Sequence, residues 1–99
     1  MPSDTKTAMR PRFPSGHVVA TIGALDLLQG DQALAAMLLA RHLAGDCGDT
    51  CAEDKAINED AIQYGNRVMS VYKLIGGHVI WVITEADRSV TTFLLPEEY

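Results

Sequence analysis

A histidine beside an arginine, Arg41-His42, could supply a general base. The simpler account is a helix end. A cation in the last turn is favoured by the macrodipole, with Arg41 paired to a nearby acid. Arg88 stands next to Ser89 and Thr91 on a strand edge, and those groups could recognise a phosphate or carboxylate. The competing account has Asp87 holding its own turn while Arg88 pairs with Glu85. His42, Cys47 and Cys51 spell H-x4-C-x3-C, three soft ligands at a helix end and the turn after it. Zinc sites carry a second such pair and this chain has none, so the two cysteines read as reduced thiols and neither metal nor cofactor is expected. The neighbouring acids Glu53-Asp54 and Glu59-Asp60 point in different directions on a helix, so they form no carboxylate dyad. No GxGxxG, P-loop, HExxH, GxSxG or EF-hand pattern occurs.

Charge is the stronger signal. Between Asp46 and Asp60 stand six acids (Asp46, Asp49, Glu53, Asp54, Glu59, Asp60) and one base, Lys55, a local sum of −5 that equals the whole-chain value. The rest of the chain is therefore balanced. Such a surface opposes non-specific nucleic-acid binding, which runs on phosphate neutralisation, and suits a protein partner. The expected binding residues are those six acids, with Trp81 and Arg88. Ninety-nine residues with 47% apolar content make one domain. No run of apolar residues is long enough to span a membrane, and the first residues have no apolar leader, so the expected location is the cytoplasm.

The elements that would position these groups follow from local signals. Met1 to Ser15, polar and with three prolines, reads as a disordered tail, leaving residues 16–99 as the domain. His17 to Thr21 is a short strand or loop. Thr21 caps a helix from about Ala24 to Gln29, ended by Gly30. Asp31 caps a second from Gln32 to Ala44, with Leu34, Met37, Leu38 and Arg41 on its stripe. Thr50-x-x-Glu53 reads as a capping box opening a third, Cys51 to Tyr64. Three β-rich runs then follow. A two-residue Gly76-Gly77 turn pairs Ile75 with His78 and sets Tyr72 opposite Trp81; a five-residue loop from Glu85 to Ser89 sets Trp81 opposite Phe93. Those three rings would share a face. The fold class is α+β: a short N-terminal strand or loop, three helices, and a three-stranded antiparallel meander packed on them.

From Phe13 onward the chain resembles a family of small proteins of bacterial plasmids and other mobile elements, labelled "plasmid-related protein" or "type I restriction endonuclease subunit M". The matching stretches are Val19 to Leu25, Ala40 to Asp46, Glu53 to Lys55 with Asn58, and Trp81 to Pro96 with Tyr99. The second label implies no methyltransferase here, because the chain holds neither a cofactor-binding Rossmann domain nor an Asn-Pro-Pro-Tyr/Phe motif. Where relatives carry tryptophan in Gly-Asp-Trp-Gly, this chain has Cys47, which marks a place for bulk rather than a metal ligand. The resemblance implies an accessory protein of a mobile element. With the acidic segment, the expectation is a non-enzymatic protein that binds a host or plasmid protein through the acidic helix and the exposed sheet face or edge, with antagonism of a host defence system as one form. In order of elements alone the chain is also similar to small metal-independent ribonucleases of the barnase/colicin/RelE type. That likeness would give Arg41, His42, Tyr72, Arg88 and Thr91 the roles of base, phosphate clamp and 2′-hydroxyl positioning.

Overall fold

The computed structural model describes residues 10–48 and 52–99. In chain order they form β1 (His17–Ala20), α1 (Ile22–Leu28), α2 (Gln32–Leu43), α3 (Ala52–Tyr64), β2 (Val68–Lys73), β3 (Val79–Thr84), β4 (Val90–Leu94) and a 3₁₀ turn (Pro96–Glu98). The class is α+β. Two expected N-caps are in place: the Thr21 hydroxyl accepts from the Ala24 N–H, and the Asp31 carboxylate from that of Leu34. Asp49, Thr50 and Cys51, and with them the proposed capping box, lie outside the described residues.

Thr21 also donates to Glu98, whose second carboxylate oxygen takes the Gly23 N–H. The end of the fold is thereby fastened to the N-terminus of α1, where an anion is favoured. Thr21→Ala is expected to lower stability by about 1 kcal/mol. A urea midpoint that does not move would show the cap to be idle.

The sheet differs from the expected meander. It has four strands in the order β1-β4-β3-β2, and it is mixed, because β1 joins β4 in parallel. The antiparallel part has a different register as well. The first turn holds three residues rather than two: Leu74 bonds to His78, and Ile75 is pushed into the loop, fully exposed. The second loop is one residue shorter than expected, closing with the Glu85 N–H on the Val90 carbonyl. Each one-residue slip turns a strand over. The two slips cancel between β2 and β4, so Tyr72 and Phe93 do share a face, but β3 is inverted between them. Ile80, not Trp81, stands opposite Tyr72, and Val82 opposite Phe93.

The helices cover one face of the sheet. Leu28, Leu38, Tyr72, Ile80, Val82 and Phe93 make the main core, and Phe13, Ala61 and Val68 a second cluster beside it. On α2 the buried residues are Leu38 and His42, while Met37 is half exposed. The inward stripe is rotated from the expected one because the sheet offers hydroxyls to His42. Trp81 lies on the other face of the sheet, edge-to-face with Tyr99 at a centroid distance of 5.4 Å.

The expected tail to Ser15 is also too long. Phe13 is buried, the Arg12 N–H bonds to the Leu43 carbonyl at 2.7 Å, and the Ser15 carbonyl accepts from Thr91. An aromatic ring flanked by prolines is enough to anchor this stretch. Residues 1–9 lie outside the described residues. No single helix among the described residues is long and apolar enough to cross a membrane.

Candidate functional site

Three hydroxyls line the inner face of the sheet at consecutive strands: Ser70 on β2, Thr84 on β3 and Thr91 on β4, all fully buried. The turn of α2 above them supplies His42, which is buried too. Its Nδ1 is 2.7 Å from Ser70 Oγ and its Nε2 2.8 Å from Thr84 Oγ1, which is 2.7 Å from Thr91 Oγ1.

The protons in this chain can be assigned. Thr91 donates to the Ser15 carbonyl, which can only accept. Thr84 must then donate to Thr91, so its own oxygen accepts from His42 Nε2–H. Nδ1 is left as an acceptor, and Ser70 donates to it. The ring is neutral. Burial, with the positive charge of Arg88 as a lesser cause, pushes its pKa down to about 4. Phe13 closes the remaining side, edge-on at 5.5 Å. A base so enclosed meets no substrate in this structure; its place is that of a polar pin joining helix to sheet.

The other members of the five-residue catalytic alternative are similarly committed. Arg41 reaches the Asp46 carboxylate at 2.8 Å and lies 4.7 Å over the Tyr72 ring. Tyr72 is buried, donates to the Asp46 carbonyl, and burial pushes its pKa up to about 12. The Arg41 guanidinium is the main reason the Asp46 carboxyl is held below its ordinary value. Together these residues lash the loop after α2 to the edge of β2, where the Cys47 carbonyl takes the Val71 N–H. Asn58 secures the same loop from α3, donating to Cys47 Sγ and to the Met69 carbonyl. Burial raises the Cys47 thiol pKa, so it is a poor nucleophile.

Arg88 is not paired with the Glu85 carboxylate as expected; Arg67 takes that partner. Arg88 sits at φ 62°, and its guanidinium donates to the carbonyls of Ala61, Asn66, Glu85 and Ala86 while lying 5.1 Å from the Phe13 ring. It caps the end of α3 from across the fold. Asp87 does hold its turn, accepting from the Ser89 N–H.

The expected binding residues do not form one surface. Glu53, Asp54, Glu59 and Asp60 are exposed along α3, which packs on the helix-covered face, whereas Trp81 belongs to the opposite face. Asp46 is held by Arg41, and Glu59 by Arg12 through two hydrogen bonds. Sequence reading missed two large residues beside the acids, Ile57 and Tyr64, which are 63% and 70% exposed. Their signal was available: at about 100° per residue Ile57 and Tyr64 fall on one side of α3 and Ile62 on roughly the opposite side, so one buried stripe cannot hold all three. Comparisons with family models, with curated proteins and with solved structures find no match to the chain.

Proposed function

We propose that this chain is a non-enzymatic, cytoplasmic accessory protein that binds a partner protein of basic surface through the outer face of α3. One observation carries the reading: two large apolar side chains, Ile57 and Tyr64, stand exposed among carboxylates. Glu53, Ile57, Asp60 and Tyr64 follow one another at intervals of four, three and four residues, so they share a face of α3. Carboxylates without apolar neighbours would be an ordinary solvated helix. Aromatic and aliphatic anchors ringed by charge are what a protein interface needs: the anchors hold, and the charge steers and selects. The likeness to mobile-element proteins suggests a host protein whose basic groove normally takes a nucleic acid. There the −5 segment would occupy the place of phosphates, antagonising a host defence system.

The test is capture of a partner from a bacterial lysate by the immobilised chain, with the bound protein identified and its affinity measured. Glu53→Lys, Asp54→Lys and Asp60→Lys together should weaken binding by at least tenfold. The same loss is expected for Ile57→Ala with Tyr64→Ala. The Ile57 and Tyr64 truncations should shift folding stability by no more than about 1 kcal/mol, and reversing the first-turn acids Glu53 and Asp54 against the helix dipole by roughly 1–2 kcal/mol. Glu59 is left intact because it holds Arg12. Unchanged affinity in both variants overturns the reading, and cleavage of RNA by the intact chain would favour the ribonuclease one.

A further inference from the structure

The two edges of the sheet are treated differently. At β2 the loop at Cys47 and Gly48 bridges to Val71 and covers the strand. At the other edge, β1 is last in the strand order among the described residues, with Val18 and Val19 both nearly half exposed.

The hydrogen-bond phase of β1 is fixed by its partner. His17 N–H bonds to Ser89 at 2.9 Å and Thr21 N–H to Phe93 at 3.0 Å, so His17, Val19 and Thr21 turn their backbone groups toward β4. Val18 and Ala20 therefore aim theirs outward. Folded proteins blunt such an edge by shortness, lysine, proline or a bulge; His17–Ala20 is short, at four residues, but has none of the other three.

From this edge we infer that the chain forms a two-fold dimer in which β1 pairs antiparallel with β1 of a second copy about Val19. This surface is separate from the α3 face. In that register Val18 of each copy exchanges both backbone bonds with Ala20 of the other, which uses every outward group of the strand. Val19 meets its own mate at the close, non-hydrogen-bonded position on the open sheet face. On the helix-covered side Ile22 and Leu25, both exposed, lie on the helix that directly follows the strand.

The net −5 does not oppose a second copy at this edge, and the outward groups of Val18 and Ala20, placed evenly about Val19, are complementary to themselves under a two-fold axis. The acids cluster on α3, which packs against β2 at the far edge of the sheet. In the resulting eight-stranded sheet the two β2 strands would be seven spacings, about 34 Å, apart. That is several Debye lengths at physiological salt, so the acidic segments repel only weakly.

Light scattering on the full chain over a dilution series tests this, and the expected mass is twice the 10.7 kDa of one chain. Val19→Lys, which sets two ammonium groups face to face at the axis, should weaken the dimer at least tenfold while the far-UV spectrum stays the same. Val18→Pro removes an outward donor without touching the β1–β4 bonds and should do likewise. Ile75→Ser, at the distant turn, should change nothing. Amide exchange at Val18 and Ala20 should slow with rising concentration. A monomer at every concentration overturns the proposal, and so does a dimer indifferent to both β1 substitutions. Slow exchange of those amides in a monomer would show the edge covered by the chain's own first nine residues.

Discussion

His42→Ala is expected to lower folding stability by about 3–5 kcal/mol, because it opens a cavity, removes the acceptor of the buried Ser70 hydroxyl and takes the donor from the Thr84 oxygen. Denaturant unfolding at neutral pH measures it. The imidazole also makes stability depend on acid. Its ordinary pKa of 6.5 describes the unfolded chain, and in the fold it is pushed down to about 4. Between those values the unfolded chain binds the proton and the folded chain does not, so stability falls as pH falls. At about 1.4 kcal/mol per pH unit the full loss is about 3 kcal/mol. The carboxyls of Asp46, Glu59, Asp87 and Glu98 are all held below their ordinary range, so they remain ionised through most of this window. The urea midpoint should drop steadily from pH 6.5 toward pH 4. His42→Gln keeps a donor and an acceptor without titrating, and it should flatten the slope even where it costs stability. A wild-type midpoint constant from pH 7 to pH 5 would refute the buried neutral ring.

Arg88→Ala should cost about 2–4 kcal/mol, since four carbonyls lose a charged donor. The backbone there occupies the left-handed region, which disfavours alanine by roughly 1 kcal/mol relative to glycine. Arg88→Gly should therefore be the milder of the two by about that amount, although it removes the same side chain. Arg88→Lys should recover little, because an ammonium cannot span carbonyls from α3 and from its own loop. Arg88 also helps depress the His42 pKa, so its loss should narrow the acid-sensitive window from below and make the fall in stability between pH 6.5 and pH 4 smaller. Equal stability of the wild type and the alanine variant would rule out the cap.

Local chemistry was readable in the chain; alternation across the sheet was not. Thr21 and Asp31 announce their helices because a cap is an agreement between residues three apart. The shared face of β2 and β4 came out right only because two one-residue slips in register cancel across β3. What failed for β3 was a count of turn residues. Ile75 reads as strand by composition, yet it joins the loop, and Arg88 takes a backbone conformation usually left to glycine or asparagine. Nothing local announces that β1 will lie beside β4, since parallel pairing has no turn to mark it. The role of His42 was open to inference. Ser70, Thr84 and Thr91 recur on apolar strands, and hydroxyls that must be buried need a polar partner. The α3 face was half legible: the acids were plain, but whether Ile57 and Tyr64 point in or out depends on where the sheet stops.

The parallel pairing of β1 with β4 joins His17 to Val90 across most of the chain. Closing so long a loop is entropically unfavourable until the intervening hairpins and helices shorten it. During synthesis, then, the first strand has no mate until the last one leaves the ribosome. A nascent fragment lacking Val90–Leu94 would expose both sides of an apolar ribbon, and premature termination should yield inclusion bodies rather than a smaller working domain.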